Sequence, residues 1–525
     1  MIKRLSWVIF VFLDYSPEKV STNKFRDSGL SAIAKGGFIN LIGLFFFLIS
    51  NFLYQFILVR ILSPADVGLF NLSSTIAGLI GLVVLFGIDR AVVRYVAYYW
   101  GKKDRERELG AVVSSVRVLL LLVFIVTPLF WIEAENIAIF IFKKPDLAPV
   151  LEIFILGAPF VAFTRLLMGV LQGYKQMKPM VLIEQISVPV LRVVGVSVVI
   201  LAFVQTSKVV SISFLVASII GCGLAVIIVR RAYVARKGDT KPVPIYSELL
   251  RFSWPLFGAS LLNRTNTYTE TLILGGLSSS EQVGFFTVSF KIAITVTVIF
   301  QAVNAILAPF IAEIYAQGDM SKLAYQFKAV TRWGYTLTLP VALLIFLEAV
   351  DIMAVLKPEY VAATPILQML IFSQLVYVVA GPVALILTMT KYMRLNLIDL
   401  LATLILSFIL DFTLIPRYGA YGAAVAGAIS IMFVNTLRLI QVYVLFRFHP
   451  YSWSYIKPAI AGGAAALATL GCGLLLQDFS HVWRLVNLSL VLFSTYGLVI
   501  LLLGQDEADL EILGTLFRDL LGAKK

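Results

Sequence analysis

The segment VGLFNLS at residues 67–73 recurs as VGFFTVS at residues 283–289, 216 positions further along the chain. At the same offset, APVLEIFILG (148–157) falls on TPILQMLIFS (364–373). One offset that holds across two separate matches is typical of an internal duplication. The chain therefore consists of two related halves, and the remaining sequence has to be interpreted within that repeat.

Both halves consist mainly of apolar stretches of about twenty residues, the length that a helix needs to cross a bilayer. The chain is 60% hydrophobic and only 14% charged, so a membrane is its solvent. Stretches such as LRVVGVSVVILAFV (191–204) are apolar on every side, which favours helices over the alternating strands of a membrane barrel. We predict about fourteen transmembrane helices, near residues 38–60, 67–88, 110–131, 148–171, 180–204, 209–229, 252–275, 284–312, 333–349, 362–388, 395–413, 418–445, 458–476 and 485–503.

The repeat groups the first twelve of these spans into two homologous six-helix lobes. The predicted fold is an all-α polytopic membrane protein whose lobes enter the membrane from the same side and rock around a central cavity. A static pore or scaffold is the alternative for duplicated halves. The predicted boundaries are a cytoplasmic N-terminal segment (1–37), an N-lobe (38–233), a cytoplasmic linker (234–251), a C-lobe (252–449), two peripheral C-terminal spans (450–504) and a cytoplasmic tail (505–525).

Positive charge is concentrated on one side of the predicted spans. The formal net charge is +13, and basic residues are roughly fourfold more frequent on that side, so the positive-inside rule places this side and both termini in the cytoplasm. This distribution explains the basic excess without a nucleic-acid partner. Residues 1–16 are predicted to form an interfacial helix, and residues 505–522 an amphipathic cytoplasmic helix.

Charged side chains also occur inside the predicted spans, where each costs about 2.5 to 3.5 kcal/mol unless it faces protein or water. The basic ones are Arg117, Arg165, Arg192, Arg264, Lys291 and Arg438. The acidic ones are Glu184, Glu270 and Asp399. Because basic groups outnumber acidic groups, we expect an interior cavity that attracts an anion.

The seventh span contains nine consecutive polar residues, NRTNTYTET (263–271). Polar side chains on every face of a helix cannot all meet lipid, so this helix should line water or be partly unwound. Arg264 has the planar geometry to grip a phosphate group. Glu270 is expected to pair indirectly with Arg264 or to neutralise Lys291 on the next span, and a purely structural ion pair between two helices is the alternative.

Further cavity candidates lie on the fourth and fifth spans. Arg165 and Arg192 supply additional positive charge. Glu184 lies eight residues before Arg192, which places the two side chains on nearly the same face of a regular helix.

Two polar pairs complete the candidate residues. Gln301 and Asn304 are three residues apart in the eighth span and share a face, which suits sugar hydroxyls or, equally, hydrogen bonds between helices. Arg90 and Arg94 begin the first long cytoplasmic loop and are predicted to meet an anionic headgroup at the cytoplasmic entrance. Positive-inside anchoring explains these two arginines equally well.

Signatures of catalysis are missing from the sequence. There is no GxxxxGK[ST] phosphate loop, and the two histidines, His449 and His481, lie far apart, so neither nucleotide hydrolysis nor a metal centre is predicted. We expect no catalytic residues, no enzymatic activity and no cofactor, apart from a coupling ion, H⁺ or Na⁺.

Several short motifs recur in a fixed order. The loops after the first and seventh spans share a pattern of Leu, Ser, Gly and Phe, at Leu62, Ser63, Gly68 and Phe70 and again at Leu277, Ser278, Gly284 and Phe286. Pro255 stands near the start of the seventh span, and Glu270 precedes LILGG (272–276). This pattern resembles the multidrug/oligosaccharidyl-lipid/polysaccharide (MOP) flippase superfamily, specifically its polysaccharide (Wzx-type) branch, over about residues 30–450.

The resemblance implies a V-shaped, MATE-like pair of lobes with a cationic cavity. Such a protein moves an oligosaccharide linked to a polyprenyl phosphate or pyrophosphate from the cytoplasmic to the external leaflet, driven by an ion gradient or membrane potential. It also implies a monomer in the plasma membrane of a prokaryote, with membrane lipid, lipid-linked oligosaccharide and glycan-assembly enzymes as partners. Related lipid II flippases carry a charged cluster in the first span, where this chain has only Asn51 and Gln55, so lipid II is disfavoured as the substrate.

Two other functions compete with this interpretation. A drug/cation antiporter of the same superfamily is the nearest alternative, but it would favour acidic cavity residues over the basic excess seen here. A membrane-embedded polysaccharide polymerase or ligase would need a large external catalytic loop, and the predicted external loops are short.

Overall fold

The computed structural model describes residues 27–201, 206–451 and 453–504, and in these ranges the chain is folded into helices without a β-strand. The all-α membrane fold predicted from the apolar stretches is confirmed. The helices predicted for residues 1–16 and 505–522 lie outside the described residues.

The helices follow one another with short connections. In the first half they are α1 (Asp27–Ile61), α2 (Pro64–Leu85), α3 (Ile88–Gly101), α4 (Arg105–Ile132), α5 (Ala134–Asn136), α6 (Ala148–Gly173), α7 (Met177–Val181), α8 (Val188–Leu201) and α9 (Ser207–Lys237). In the second half they are α10 (Tyr246–Leu277), α11 (Ser280–Thr295), α12 (Val298–Gln317), α13 (Met320–Leu347), α14 (Ala349–Leu356), α15 (Thr364–Ala380), α16 (Val383–Met389), α17 (Met393–Phe446), α18 (Ile456–Leu475) and α19 (His481–Leu502). Turns of π-helix occupy Ile137–Ile141 and Leu182–Ser187, and 3₁₀ turns occupy Pro145–Leu147, Pro358–Ala363 and Trp453–Tyr455.

Within the described ranges, 11 helices are long and apolar enough to cross a membrane, or up to 12 if the bent pair α11 and α12 is one span. The predicted count of fourteen is not confirmed by this criterion. The 32-residue helix α10 is not among them because its middle is polar. The 54-residue helix α17 counts once, although it covers the two predicted spans 395–413 and 418–445.

Local breaks shape three of the spans. Helix α17 bends at Gly419, whose φ of 55° is readily adopted by glycine. Helices α2 and α3 are separated by Phe86 and Gly87, both with positive φ. Helices α11 and α12 are inclined by 53° to each other. The eighth span, predicted as one continuous helix over 284–312, is therefore a broken helix.

The described chain divides into two compact units. Unit 1 contains the residues up to Ile61, Ile76–Phe140 and Lys144–Leu261, and unit 2 contains Leu62–Thr75, Ile141–Lys143 and the residues from Leu262 onward. Both α2 and α10 are divided by these boundaries: α2 begins in unit 2, whereas α10 begins in unit 1. The lobe boundaries given by the sequence repeat stay a prediction.

Small residues allow close helix packing in unit 1. Helix α6 presents Gly169 and Gly173 to α3, and a Cβ atom at Gly173 would lie only 2.9 Å from the Cβ of Val96. This four-residue spacing of small residues is typical of membrane helices, where close backbone approach replaces the hydrophobic driving force that operates in water. Helices α6 and α9 add an aromatic contact between Phe154 and Phe214, with ring centroids 4.7 Å apart.

In unit 2, the last two helices pack on each other and on α13 and α14. The Tyr496 hydroxyl donates a hydrogen bond of 2.8 Å to the backbone oxygen of Thr336 on α13. At the start of α19, His481 Nδ1 and Arg484 Nε lie 2.5 and 3.4 Å from the two carboxylate oxygens of Asp351 on α14. Polar and ionic contacts thus fasten the C-terminal hairpin to unit 2.

Candidate functional site

Two arginines lie inside the helices of unit 1 without a carboxylate partner. Arg165 is on α6 and Arg192 is on α8, and both side chains are partly buried. The guanidinium carbon of Arg192 lies 4.6 Å from the centroid of the Phe214 ring, and its Nε has no hydrogen-bond partner. Neither arginine has a carboxylate oxygen within 4.0 Å in the described part of the chain.

The third predicted residue of unit 1, Glu184, lies in the π-helical turn that precedes α8. A π turn shifts the helical register, and such turns are frequent at functional sites. Glu184 is exposed and lies within electrostatic range of Arg165, which also acts on Arg192. The three predicted residues Arg165, Glu184 and Arg192 therefore form one electrostatic cluster, in which Arg165 interacts with both of the others.

The polar run of the seventh span forms a continuous helix, α10, so partial unwinding is ruled out for this span. Its polar side chains bond back to the preceding turn: Thr267 donates to the backbone oxygen of Asn263 at 2.8 Å, and Asn266 bonds both Leu262 and, on α17, Leu400. Hydrogen bonds from Thr side chains to the preceding turn satisfy polar groups that would otherwise destabilise a helix in lipid.

Arg264, the predicted phosphate contact, lies in this polar run and is half-buried. Its Nη1 donates a 2.9 Å hydrogen bond to the Tyr268 hydroxyl, and its guanidinium carbon lies 5.5 Å from the Tyr268 ring centroid. No ion pair involves Arg264 among the described residues. Most of its five donors therefore remain open to a ligand or to water.

Asp411 is not among the residues predicted from the sequence, and it lies close to Glu270 in unit 2. Asp411 is fully buried on α17, and neither carboxylate oxygen has a hydrogen-bond partner. Glu270 on α10 acts on it electrostatically, and Gly427 leaves room for the Glu270 carboxylate. The signal was present in the sequence, since an Asp inside the predicted span 395–413 is as costly as any charge at that depth.

Lys291 has a partner that was not predicted. Its Nζ donates a 2.7 Å hydrogen bond to Oδ1 of Asn71. The expected neutralisation of Glu270 by Lys291 stays a prediction. Asn71 carries no charge, which is why a search for charged residues in the spans overlooked it.

The predicted polar pair of the eighth span lies just after the break between α11 and α12. Gln301 is exposed and donates a 2.8 Å hydrogen bond to the Thr297 hydroxyl, which belongs to the break itself. The side-chain oxygen of Asn304 has no hydrogen-bond partner. Broken membrane helices expose polar groups where they line a cavity.

Arg90 and Arg94, the predicted entrance residues, are one turn apart on α3 and both are exposed. The guanidinium carbon of Arg94 lies 4.1 Å from the centroid of the Phe252 ring and 5.6 Å from that of Tyr95. Such stacking fixes an arginine without consuming its hydrogen-bond donors.

Another interior arginine has a structural partner. Arg438 Nε lies 3.7 Å from Oδ2 of Asp399, and Gln441 donates a 2.7 Å hydrogen bond to Oδ1 of the same carboxylate. Both charged side chains are buried. Arg438 is thus compensated within α17, in contrast to Arg165, Arg192 and Arg264. Groups of three or more residues able to hold a metal ion do not occur in the described ranges.

Comparison by sequence gives one family. Residues 33–315 match the family described as polysaccharide biosynthesis protein, which is more than half of the chain. Against curated proteins, the sequence has no significant match.

Several solved structures share the fold. An inward closed conformation of the lipid II flippase MurJ is 14% identical, with a TM-score of 0.71 over 92% of this chain and 100% of that one. An inward-facing MATE multidrug resistance transporter of the MOP superfamily is 15% identical, with a TM-score of 0.63 over 78% of this chain and 98% of that one. A MOP superfamily transporter from Pyrococcus furiosus, described as having a binding pocket of reverse polarity, is 16% identical, with a TM-score of 0.57 over 79% of this chain and 95% of that one. At these identities the similarity shows the fold alone.

Proposed function

The chain belongs to the polysaccharide biosynthesis protein family, and from this membership we propose that it is a flippase for a lipid-linked oligosaccharide. It would carry the phosphate and sugars from the cytoplasmic to the external leaflet by alternating access, while the polyprenyl tail stays in lipid. The chain is a multi-pass membrane protein with the fold of flippases and transporters rather than enzymes. The substrate, the direction and the coupling are parts of the proposal.

One observation carries the proposal, namely that Arg165, Arg192 and Arg264 lie inside helices without a carboxylate partner. A guanidinium at bilayer depth that no protein group neutralises must meet water or an anionic ligand. A phosphate or pyrophosphate headgroup supplies that anion, because a guanidinium donates paired hydrogen bonds to phosphate oxygens. A neutral or cationic substrate would leave the same charges uncompensated.

Uncharged polar groups support the proposal that the substrate contains a saccharide. Gln301 is exposed beside the break of the eighth span, and the side-chain oxygen of Asn304 lacks a protein partner. Amides both donate and accept hydrogen bonds, which matches the hydroxyl groups of sugars. Arg90 and Arg94 are exposed at the predicted cytoplasmic end, where they would meet the headgroup first.

The acidic pair Glu270 and Asp411 supports coupling to a cation. Two neighbouring carboxylates without a basic partner bind a proton or Na⁺ more readily than two separate ones, because the bound cation relieves their repulsion. Occupancy of this pair would then bias the equilibrium between the inward and outward states.

The proposal is tested by flipping of a fluorescent polyprenyl-pyrophosphate oligosaccharide in proteoliposomes. We expect the wild type to move it, Arg264→Ala to lose at least about tenfold in rate because charge-assisted hydrogen bonds are removed, and Arg264→Lys to lose less. Arg417→Ala, at an exposed position beside the bend of α17, is the matched control and should behave as the wild type. Wild-type protein that leaves the saccharide lipid in place, or an Arg264→Ala variant with the wild-type rate, would contradict the proposal.

A drug/cation antiporter remains the second candidate, since the pair Glu270 and Asp411 would serve it equally well. The same proteoliposomes separate the two functions. An antiporter would exchange a cationic dye against H⁺ or Na⁺ and be unaffected by Arg264→Ala, whereas the flippase would show the opposite pattern.

A further inference from the structure

Residues that are equivalent in the two halves of the chain contact each other in unit 2. The repeat offset of 216 relates Pro64 to Ser280 and Gly68 to Gly284. A Cβ atom at Gly68 would overlap the backbone oxygen of Ser280, and a Cβ atom at Gly284 would overlap the backbone oxygen of Pro64. Helices α2 and α11 therefore cross with their backbones in direct contact, which only glycine at both positions allows.

One turn further along, a hydrogen-bonded triad joins the same two helices. Asn71 donates a 2.9 Å hydrogen bond to the hydroxyl of Thr287, its equivalent at the repeat offset of 216. The carbonyl oxygen of the same amide accepts the 2.7 Å hydrogen bond from Lys291. Asn71 and Thr287 are both buried, at 4% and 5% exposure, so the bonds are shielded from water and their loss would be costly.

The position of this crossing connects it with the path of the transported substrate. Equivalent residues of two repeats can touch only close to the axis that relates the repeats, and transporters built from repeats move substrate along that axis. Gly68 and Gly284 lie within two turns of the helix starts Pro64 and Ser280, at the end that the charge distribution assigns to the outside. A bulky saccharide that leaves at this end has to part α2 from α11.

We propose that the crossing of α2 and α11 at Gly68 and Gly284, fastened by Asn71 to Thr287 and Lys291, is the closed outer gate of the transport path. Opening breaks both hydrogen bonds of Asn71 and separates the two glycines. The proposal rests on the proposed function only in that something must leave through this end. Asn71 is accordingly a positioning residue, because it acts on Lys291 and on the gate rather than on the substrate.

The first test measures the gate itself. Spin labels are placed at the exposed positions Ser63→Cys and Ser279→Cys, which directly precede α2 and α11 in unit 2. The native cysteines are replaced by Cys222→Ala and Cys472→Ala, and distances are measured by double electron–electron resonance in liposomes. We expect a short distance to dominate in the otherwise unmodified chain.

Substitutions at the crossing should shift the equilibrium between the closed gate, with short distances, and the open gate, with long distances. In the labelled chain, Gly68→Ala should raise the ratio of long to short distances by about tenfold or more, and Asn71→Ala should raise it by about tenfold, the equivalent of two modest hydrogen bonds. The controls on the same helix are Gly78→Ala, whose added Cβ meets nothing within 4 Å, and Thr75→Ala, which bonds only within its own helix. Unchanged distances in both Gly68→Ala and Asn71→Ala would overturn the proposal.

A cross-link decides the matter if Gly68→Ala does not fold. Asn71→Cys and Thr287→Cys, combined in the chain without native cysteines, should form a disulfide on oxidation because the two side chains already touch. The oxidised protein should lose transport and recover it when the disulfide is reduced. If the fully oxidised protein transports as fast as the protein with free thiols, the gate is refuted. If the wild-type protein moves no saccharide lipid, the proposed function fails, while the spin-label distances still report whether the gate opens.

Discussion

The two units differ in the charged side chains that lie inside their helices without an ion pair: unit 1 carries Arg165 and Arg192, whereas unit 2 carries one such arginine, Arg264, together with the acidic pair Glu270 and Asp411. In unit 1, neither Arg165 nor Arg192 has a carboxylate oxygen within 4.0 Å among the described residues, although Glu184 acts on Arg165 electrostatically. In unit 2, Glu270 and Asp411 lie close together without a cationic partner. Both pairs are costly at bilayer depth, so neither is explained by stability.

Under the proposed function, the arginines would recognise an anion and the acidic pair would bind a cation. Unit 2 also contains Arg438 and Asp399, which neutralise each other at 3.7 Å and are buried. This pair shows how the same protein neutralises buried charges that serve only the stability of the fold. The uncompensated pairs have no oppositely charged partner within ion-pair distance, and we therefore assign them to function.

The largest effect is expected when the two interior arginines of unit 1 are replaced. Arg165→Ala combined with Arg192→Ala should lower flipping of the lipid-linked saccharide by about a hundredfold, because two charge-assisted contacts to the headgroup are lost. The double lysine variant keeps the charge and should retain part of the rate. A double alanine variant that is folded and flips as well as the wild type would remove the arginines from the mechanism.

A smaller effect is expected at the acidic pair of unit 2. Asp411→Asn should slow gradient-driven transport by about tenfold and abolish its response to the H⁺ or Na⁺ gradient, because the cation no longer relieves carboxylate repulsion. The matched control is Asp399→Asn, which disturbs the compensated pair and should lower thermal stability while the response to the gradient persists. Equal responses of the Asp411→Asn variant and the wild type would show that the pair does not couple transport.

The smallest effect concerns Glu348, which lies between α13 and α14, next to the residues on which the C-terminal hairpin packs. Burial, together with the hydrogen bond and charge of Asp351, raises the pKa of Glu348 from its ordinary value of 4.5 to about 7. The folded state therefore holds this proton more tightly than the unfolded state, so its stabilising contribution is complete below pH 4.5 and is lost as the pH rises to about 7.

Glu348→Gln fixes the uncharged form and should remove this loss, which amounts to on the order of 2 kcal/mol. Thermal unfolding in detergent between pH 5 and pH 8 should thus show a flatter profile for the variant than for the wild type. Parallel profiles for the two proteins would mean that Glu348 is not protonated in the folded state.

The sequence was sufficient for the features that depend on periodicity and burial cost. Apolar stretches long enough to span a bilayer predicted the all-α membrane fold, which is confirmed. The motifs shared by the two halves resembled a polysaccharide-type family, in agreement with the family match over residues 33–315. The same repeat offset reappears in space as the contact of Asn71 with Thr287. Charges such as Arg264 stood out because they are rare and costly in apolar surroundings.

Features that depend on partners in three dimensions were not accessible in this way. The break between α11 and α12 has no proline at Val296 or Thr297 to mark it, and helix breaks without proline or glycine depend on tertiary contacts. The partner of Lys291 was assigned by charge, whereas the structure provides an amide 220 residues away. The cost of Asp411 inside a predicted span was visible in the sequence, whereas its proximity to Glu270 on another helix was not.

The most direct test of the central claim is the affinity of the protein in lipid nanodiscs for a polyprenyl-pyrophosphate oligosaccharide and for the same glycan on an uncharged polyprenol. The account predicts that the wild type binds the pyrophosphate form at least about a hundredfold more tightly, and that replacing Arg165, Arg192 and Arg264 together by Ala removes this preference. Equal affinities of the wild type for the charged and the uncharged lipid would contradict the account.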